Sequence, residues 1–499
     1  MQTHPPATMV ELELKFSIDE THLNSLRQGL RAHGARTVRL TAQYYDTADF
    51  QLARHGLSLR LRKEGRGWTQ TLKAEGPHAV ARLEHNVAAK APPGASPELD
   101  LSCHDGTPPG DALRLVLSGS RNAKLVPSHR TEVTRQSCEL DLPNGAIEVA
   151  LERGTVRAGP RKASLCELEL ELKTGNTAAL FDLAESWVRH GGLWLDTTSK
   201  SQRGVLLANG PADRSQGQTL QLHPRLDGRQ MLCAVLASLM NDLLPHASHI
   251  ASGSHDAEHI HQLRVGLRRL RTALREFRSL AKDVDPRWDT DLKRAFAELG
   301  RVRDDDVVAE TVKPVLLQAG ASKLDWRKSA RAGDATAAVR NQAFQLTLLD
   351  LLKYSLSNAD SGQAPAPSHR AGLRHLEKRL TRLHRQAVHS GKRFAKLPLN
   401  KQHQARKRLK RLRYLAEFVA PLESASTVKK YLGVLRSVQD ALGLHNDICV
   451  AARHFRADGG HGSESHRSAD ILDRHARSTG RSAQAALRRL SGASPFWGG

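Results

Sequence analysis

Charged residues alternate with apolar residues in three stretches within the first 200 residues of the chain. In the stretch from Val10 to Phe16, VELELKF, two glutamates and a lysine take every second position. Residues 59–62 repeat the scheme with two arginines, and residues 165–173 repeat it with three glutamates and a lysine. Because alternate side chains of a β-strand lie on opposite faces, each stretch predicts a strand with one charged face.

Acidic and basic strands that share one face suggest a particular chemistry. Carboxylates alone on a sheet face would repel one another, and so would arginines alone. Both together suit a metal-bridged polyanion, in which the metal binds the carboxylates and the phosphates bind the arginines. Ordinary amphipathic surface strands are the alternative for any single stretch. Three such stretches in one region favour the polyanion site.

These motifs resemble the CYTH family, also called triphosphate tunnel metalloenzymes. The opening Glu11-Leu-Glu13-Leu-Lys15 is similar to the family's E-x-E-x-K motif, and the resemblance covers about residues 9–207. Further matches follow in order: Tyr45-Asp46-Thr47, Arg60-x-Arg62, Lys73, Arg82-x-Glu84, Glu167-x-Glu169-x-Glu171-x-Lys173 and Ser199-Lys200-Ser-x-Arg203-Gly204. The resemblance implies an inorganic triphosphatase, which hydrolyses inorganic triphosphate to pyrophosphate and phosphate with a metal cofactor.

The resemblance also implies a set of site residues. The expected ligands of Mg²⁺ or Mn²⁺, which oxygen donors suit, are Glu11, Glu13, Glu167, Glu169 and Glu152, with Glu171 as a further candidate. Glu152 lies where the family usually has an aspartate. The expected triphosphate-binding residues are Lys15, Arg60, Arg62, Lys73, Arg82, Arg130, Lys173 and Arg203, with Arg135 as the alternative to Arg130.

Lys200 and Glu169 are the catalytic candidates. The resemblance places Lys200 near the tunnel, where it would assist the attack on the phosphate or the departure of the leaving group. The alternative for Lys200 is a solvated lysine that follows a helix.

The elements that must position these residues are mostly strands. Strands are predicted at 36–47, 57–75 (a hairpin), around Arg82 and Glu84, and at 129–141, 145–152 and 164–173. Helices are predicted at Asp19–His33, Asp111–Ser118 and Thr177–His190. About eight antiparallel strands can close into a barrel, and a polar lining implies a ligand tunnel inside it.

The C-terminal half has helical periodicity and no strand pattern. We therefore expect an α+β multidomain protein: an N-terminal eight-stranded antiparallel β-barrel, then an all-α region of duplicated helical bundles. The predicted boundaries are 1–208 for the barrel domain, 209–224 for a linker, and 225–358 and 372–490 for the two helical repeats. Flexible breaks are predicted at 359–371 and 457–468.

A basic pattern occurs twice in the helical half, 142 to 143 residues apart. The first copy contains His261, Arg264, Arg268 and Arg271, and the second contains His403, Arg406, Lys410 and Arg413. This spacing keeps the four side chains of each copy within about 80 degrees of one helix face. Such a ridge needs a bound anion, or the acids of another helix.

This half resembles the CHAD domains, the conserved-histidine helical domains found next to CYTH domains. The resemblance covers about residues 225–456 and implies binding of inorganic polyphosphate to the two basic ridges. Arginine suits that role because its planar guanidinium can bind two phosphate oxygens at once. Asp304 and Asp447, about forty residues after each ridge begins, are expected to orient basic side chains rather than to bind a metal.

Composition narrows the choice of partners. The formal net charge of +23 predicts an acidic partner, while aromatic residues make up only 4% of the chain, so base stacking on nucleic acid is unsupported. Five scattered cysteines and the short apolar run at 231–240 favour a cytoplasmic protein with no membrane partner. The polyphosphate binding that the CHAD resemblance implies adds the expectation of association with polyphosphate granules. The remaining alternatives are a catalytically weak protein that binds polyphosphate or RNA, and a CYTH enzyme acting on thiamine triphosphate or cyclising ATP.

Overall fold

The structure is a computed structural model that describes most of the chain. It describes residues 9–76, 78–92, 95–119, 124–210, 220, 222–223, 225–307, 311–319, 334–357, 367–457 and 463–497; within these, the side chains of 9–10, 301–307, 457 and 463–464 are not described. Two compact units divide the chain. The first contains Met1–Thr219, Met240–Ser254 and Val339–Ser357, and the second contains the remainder.

Nine strands form one antiparallel sheet in the first unit. They are β1 Met9–Ile18, β2 Arg36–Thr47, β3 Leu57–Glu64, β4 Gly67–Glu75, β5 Ala81–Ala89, β6 Leu125–Leu142, β7 Gly145–Ala158, β8 Arg161–Gly175 and β9 Leu193–Leu195. Their order is β5-β4-β3-β2-β6-β7-β8-β1-β9, and β1 also pairs with β5. That last pairing closes strands β1 to β8 into a barrel, so the predicted eight-stranded antiparallel barrel is confirmed.

The register of the strands sends the charged residues inward. Across β1 and β8, Glu13 lies opposite Glu171 and Lys15 lies opposite Glu169. The intervening Leu14 and Phe16 are fully buried on the outer face of the wall. This barrel therefore reverses the usual arrangement, with charge inside and its apolar core between the wall and the surrounding helices.

Helices cover the outside of this wall. In the N-terminal part of the chain they are α1 Leu23–Ala32, α2 Gln51–Arg54, α3 Pro108–Ser118 and α4 Thr177–Arg189. A fifth helix, α5 Lys200–Asn209, instead begins at the barrel interior, where its first residues face the inward side chains. Helix α4 packs on β1, β7 and β8 with its fully buried Leu180 and Phe181. The sequence predicted α1, α3 and α4 to within a few residues but missed α5. Ser199 and Gln202 form a reciprocal capping box at the start of α5, a signal that was present in the sequence.

Ten further α-helices follow in the described part of the chain. They are α6 Gly228–Ala251, α7 Ala257–Phe277, α8 Pro286–Val307, α9 Lys313–Gln318, α10 Ala335–Arg340, α11 Gln342–Leu356, α12 His369–Gly391, α13 Leu399–Val419, α14 Ala425–Ala457 and α15 Ser463–Ser491. The prediction of an all-helical C-terminal region is confirmed. The two copies of the basic pattern lie on α7 and α13, each 21 residues long, and His261 and His403 are each the fifth residue of their helix.

The domain boundaries stay predictions, but the compact units do not follow the chain in simple order. Residues 240–254 and 339–357, expected in the helical half, belong to the first unit. Most of the predicted linker and of the break at 359–371 lies outside the described residues. Of the break predicted at 457–468, residues 458–462 lie outside the described residues, and α15 already begins at Ser463. No helix among the described residues combines the length and the apolar character needed to cross a bilayer.

Substitution of Gly154 by alanine tests the close approach of β6 and β7. A Cβ at Gly154 would overlap the backbone carbonyl oxygen of Glu132, so we expect Gly154→Ala to destabilise the first unit by about 2–4 kcal/mol. Gly29→Ala is the matched control in the same unit. A Cβ at Gly29 meets no atom within 4 Å, and alanine in a helix interior gains roughly 0.5–1 kcal/mol. Urea unfolding of the full chain measures both, and equal effects would contradict the register described above.

Candidate active site

The barrel interior encloses a cavity of about 710 Å³. Its described lining holds equal numbers of acidic and basic side chains, nine of each. The acids are Glu11, Glu13, Glu64, Glu75, Glu84, Glu148, Glu152, Glu169 and Glu171; the bases are Lys15, Arg36, Arg60, Arg62, Lys73, Arg82, Arg135, Lys173 and Lys200. Such a lining can hold a polyanion and a cation together.

Lys200 is the centre of one charged cluster. Its Nζ lies 2.9 Å from Glu152 Oε2, 2.6 Å from Glu167 Oε1 and 2.7 Å from Glu169 Oε1. Burial by itself lowers the pKa of Lys200, but attraction to these three carboxylates outweighs burial and holds that pKa well above its usual value. Lys200 is therefore a protonated amine surrounded by carboxylates, rather than the solvated lysine of the alternative.

Glu167 and Glu169 respond differently to this environment. Burial raises the pKa of Glu167, which is fully buried, despite the nearby Lys15 and Lys200. Burial also acts to raise the pKa of Glu169, but attraction to Lys200 and Arg135 outweighs it and holds that pKa well below its usual value. Glu169 is therefore a carboxylate at neutral pH.

Three local features place Lys200 in this cluster. Glu152 on β7 lies directly opposite Glu167 on β8, which brings the two carboxylates together. Ser199 caps α5, so that Lys200 is the first residue of that helix. Gly204 lets α5 approach the barrel closely, because a Cβ there would overlap the ring of His129 on β6. The glycine of the Ser199–Gly204 motif therefore has a packing reason.

Lys73 is the centre of a second cluster. Its Nζ lies 2.9 Å from Glu11 Oε2 and also pairs with Glu84. Burial raises the pKa of Glu11 to about 9, with Lys73 acting against it and Glu84 and Glu13 adding to it. Carboxylates are so crowded here that one of them keeps a proton in the absence of a further cation.

Arginines supply hydrogen-bond donors to the cavity. Arg60 Nη1 donates to the hydroxyl of Tyr44 at 3.3 Å, and Arg135 lies 3.2 Å from Glu148 and 3.4 Å from Glu152. Among the described residues, the buried Nε atoms of Arg60, Arg62 and Arg135 have no hydrogen-bond partner. A buried donor without a partner is unfavourable, so these three guanidinium groups fit an anion bound in the cavity.

The acidic side chains fit a hard divalent cation in donor type. Glu13 and Glu171 lie directly opposite each other on neighbouring strands, an arrangement that a cation would relieve. Among the described residues, however, no group of three or more acidic, histidine or cysteine side chains is already arranged to hold a metal ion. The carboxylates pair with lysines instead. Of the five predicted ligands, Glu152, Glu167 and Glu169 lie around Lys200. Glu11 and Glu13 lie near Lys73.

Two predicted phosphate-binding residues are not in the described lining of the cavity. On β6 the inward residues are Thr131, Val133 and Arg135, so the period of two turns Arg130 outward, where it is exposed and pairs with Glu132. The expectation that Arg130 lines the tunnel is wrong, and its alternative Arg135 takes that place. Arg203 pairs with Asp196, and its Nε lies 3.8 Å from Glu167, so it acts through other side chains.

Most of the other predicted site residues of the barrel face the cavity, but the predicted metal ligand Glu167 is fully buried and is not in the described lining. The cavity lining includes the basic residues Lys15, Arg60, Arg62, Lys73, Arg82, Lys173 and Lys200 and the acids Glu11, Glu13, Glu152 and Glu169. That they bind metal or triphosphate stays a prediction. Sequence reasoning did not assign roles to Glu84, Glu148 and Tyr44, although Glu84 follows Arg82, and Glu148 precedes Glu152, at the even spacing of one strand face.

The basic ridges of the second unit have acidic and aromatic partners. Arg264 and Arg268 stack over Phe296 at 4.5 and 5.1 Å from the ring centroid, and Arg271 binds Asp289 of α8 at 2.7 Å. On α13, Arg413 donates to Gln439 at 2.8 Å and also pairs with Glu417. Several basic side chains of both ridges therefore find partners within the second unit.

Lys410 marks the middle of the second ridge. Burial and, after it, the nearby positive charges of Arg268 and Arg406 lower its pKa to about 6, and Asp447 offsets only part of this shift. Arg406 lies 3.9 Å from Asp447, as expected of an orienting acid, and its buried Nε has no hydrogen-bond partner among the described residues. The side chain of Asp304 lies outside the described residues. This convergence of Arg268, Arg406 and Lys410 fits an anion.

His403 lies beside this cluster, with its Nδ1 3.4 Å from Asn446 Oδ1. Burial lowers the pKa of His403 from its usual 6.5, so the ring is neutral at pH 7.

Comparison with known proteins identifies a domain in each half of the chain. The family model of the CYTH domain matches residues 9–205, and that of the CHAD domain matches residues 234–456. This chain carries a CYTH domain and a CHAD domain. Both resemblances found in the sequence are confirmed.

Three similar proteins extend the comparison. An uncharacterized protein of Mycobacterium tuberculosis is 26% identical over 490 residues, which cover 90% of this chain and 89% of that protein. An inorganic triphosphatase of Haemophilus influenzae is 31% identical over 205 residues, 40% of this chain and 55% of that protein. The crystal structure of the CHAD domain from Ricinus communis is 24% identical and covers 56% of this chain and 97% of its own, with a TM-score of 0.46.

Lys200→Ala tests the first charged cluster. The substitution leaves three buried carboxylates without their shared cation, and we expect a loss of about 3–5 kcal/mol at pH 7. Because the folded-state pKa of Glu169 is depressed, its stabilisation is present above 4.5 and lost as the pH falls. The variant loses that depression, so its deficit should shrink below pH 4.5.

The measurement is chemical denaturation of the full chain at several pH values, with the exposed Lys162→Ala as control. A Lys200→Ala deficit that is small, or that does not change with pH, would contradict the ion cluster described here.

Proposed function

We propose that the CYTH barrel hydrolyses inorganic triphosphate to pyrophosphate and phosphate, with Mg²⁺ or Mn²⁺ as cofactor. The observation that carries the proposal is the cavity itself: a charge-balanced interior in which the buried Nε atoms of Arg60, Arg62 and Arg135 lack hydrogen-bond partners among the described residues. Homology of the barrel to an inorganic triphosphatase supports the same substrate.

The basic residues of the cavity would bind and orient the triphosphate. Planar guanidinium groups on β3 and β6 can each grip two phosphate oxygens, and they offset the charge that develops on the departing phosphate. The cavity carboxylates of Glu11, Glu13, Glu169 and Glu171 are the ones that would hold a divalent cation. When bound, that cation supplies charge neutralisation and a water of lowered pKa.

Lys200 and Glu169 would have the two remaining catalytic roles. The protonated Lys200 can donate a hydrogen bond to the leaving phosphate, and the ionised Glu169 can orient a water or accept its proton. Their 2.7 Å contact holds the two groups in a fixed relation before substrate enters.

The cavity favours an inorganic over an organic triphosphate. Among its described lining residues Tyr44 is the one aromatic residue, and its ring is buried and stacked on His129 at 4.4 Å between centroids. It therefore offers no free ring face to a base or a thiamine ring.

Arg135→Ala and Arg130→Ala form a matched pair that tests this proposal. Both remove an arginine from β6, but only Arg135 points into the cavity. We expect Arg135→Ala to lower kcat/KM for triphosphate by about 10²–10³-fold, as loss of one charge-stabilising donor does, and Arg130→Ala to leave it within about threefold.

Phosphate release from triphosphate, assayed on the full chain, provides the measurement. EDTA should abolish the activity, and added Mg²⁺ or Mn²⁺ should restore it. Equal losses in the two variants, or turnover that persists in EDTA, would refute the tunnel site.

We propose that the CHAD domain binds inorganic polyphosphate along α7 and α13. Support comes from the half-buried convergence of Arg268, Arg406 and Lys410, beside which Asp447 is the acid among the described residues that offsets part of the positive charge. A linear polyanion can run past several such groups, whereas the aromatic platforms that single-stranded nucleic acid requires are absent from the described part of the two ridges.

Lys410 gives this binding a pH dependence of known sign. With a pKa of about 6, the amine of Lys410 is mostly uncharged above pH 7 in the free protein. A bound polyanion raises that pKa. Binding then takes up a proton, so the affinity for long-chain polyphosphate should rise by roughly tenfold as the pH falls from 8 to 6.5.

Calorimetric titration of the full chain measures this slope. Lys410→Met should flatten it, whereas Lys407→Met, an exposed lysine on the same helix, should weaken binding and keep the slope. A slope that persists in Lys410→Met would show that another group takes up the proton.

A further inference from the structure

A short segment, residues 193–200, joins the barrel wall to the candidate site. Strand β9 pairs with the end of β1, and Asp196 N donates to the carbonyl of Lys15 at 2.9 Å. The carbonyl of Thr198 then accepts a hydrogen bond from Lys15 Nζ. Two residues later the segment ends at Lys200, inside the carboxylate cluster, so the course of this segment decides where Lys200 lies.

Asp196 shapes the middle of the segment. Its buried carboxylate accepts hydrogen bonds from Ser17 Oγ at 2.7 Å and from Thr198 N at 2.9 Å, and it pairs with Arg203. Burial acts to raise the pKa of Asp196, but attraction to Arg203 and Lys15 outweighs it and keeps that pKa below its usual value. These contacts all come from the barrel side.

The other side of the segment is bound by helices that come later in the chain. Leu195 N donates to Gln345 Oε1 of α11 at 2.8 Å, and Thr197 N donates to Ser248 Oγ of α6 at 2.9 Å. The side chain of Gln345 is fixed at both ends, because its Nε2 donates to the carbonyl of Val339 at 2.7 Å. Gln345 and Ser248 are 1% and 2% exposed, so water cannot easily replace them.

Neighbouring contacts hold these helices in place within the first unit. Arg340 lies over the ring of Trp194 at 3.7 Å and donates from Nε to the carbonyl of Ala251 at 2.8 Å. Gln342 Nε2 donates to the carbonyl of Arg189 at the end of α4, 2.9 Å away. Gln345 and Ser248 lie in the sequence that the CHAD model matches, yet they belong to the compact unit of the barrel.

We propose that Gln345 and Ser248 are positioning residues for the reaction in the barrel. Gln345 accepts from the N–H of Leu195 in the three-residue edge strand β9, and Ser248 accepts from the N–H of Thr197, just after it. These two bonds set the path of the backbone that places Lys200 among Glu152, Glu167 and Glu169. The inference rests on the proposed triphosphatase function for its kinetic consequence. Its structural content, that the 193–200 segment depends on α6 and α11, stands apart from the substrate.

The test uses three variants of the full chain. Gln345→Met removes the acceptor of Leu195 N at similar volume, and Ser248→Ala removes the acceptor of Thr197 N. Ser355→Ala is the matched control, because this buried serine of α11 bonds only the carbonyl of Leu352 in its own helix. Hydrogen exchange followed by mass spectrometry reports on residues 193–200, and steady-state kinetics with triphosphate report on the site.

The first two variants should raise amide exchange in the segment by at least about tenfold while peptides from β6 and β7 keep wild-type protection. They should lower kcat by about 10–100-fold with KM changed less than about threefold, since a small displacement of Lys200 affects the chemical step. The control should match the wild type in both readouts.

Unchanged exchange in the segment, or a uniform rise across the whole barrel, would overturn the proposal. So would a loss confined to KM, or an equal effect of Ser355→Ala. A wild-type chain that does not hydrolyse triphosphate would overturn the proposed function instead, and the exchange measurement would still decide whether Gln345 and Ser248 hold the segment.

Discussion

Charge balance inside a closed barrel is the constraint on which this structure depends. An ion buried without a partner costs several kcal/mol, so a wall that turns nine acids inward must turn a matching set of cations inward as well. Lys200 and Lys73 meet much of this requirement, each by binding more than one carboxylate. The remaining guanidinium donors are left for an anion, and the crowded acids for a cation. These two features, guanidinium donors without partners and crowded carboxylates, are what would suit the interior to the metal-bridged phosphate chain proposed above.

Turning charge inward forces the apolar surface outward. Leu14 and Phe16 of β1 can be buried only if helices cover the outside of the wall, and α4 does so with Leu180 and Phe181. The later segment 339–357 belongs to the barrel unit and contains α11, which packs on α4 and on β9. The region that the CHAD model matches therefore contributes a helix to the unit that contains the barrel.

Alternation of charge predicted the barrel and most of its lining, since a period of two determines which face each residue of a strand takes. It failed at Arg130 because β6 is long and carries scattered polar residues, so its phase is ambiguous, and because a register shift at Tyr44 and Tyr45 offsets its pairing with β2. The pairing of Lys200 with three carboxylates could not be predicted, because the capping box at Ser199 marks where α5 begins but not how α5 packs against β6, β7 and β8. The roles of Gln345 and Ser248 carry no sequence signal, since they arise only when distant segments pack together.

The central claim is that phosphates and a cation meet between the acidic and basic strands inside the barrel. A crystal structure of the full chain with Mn²⁺ and a non-hydrolysable triphosphate analogue would test it most directly, with anomalous scattering locating the metal. The account predicts a manganese peak within about 2.5 Å of cavity carboxylates, and phosphate oxygens within hydrogen-bonding distance of Arg60, Arg62 and Arg135. An analogue bound on the outer face of the barrel, or manganese away from the cavity glutamates, would contradict it.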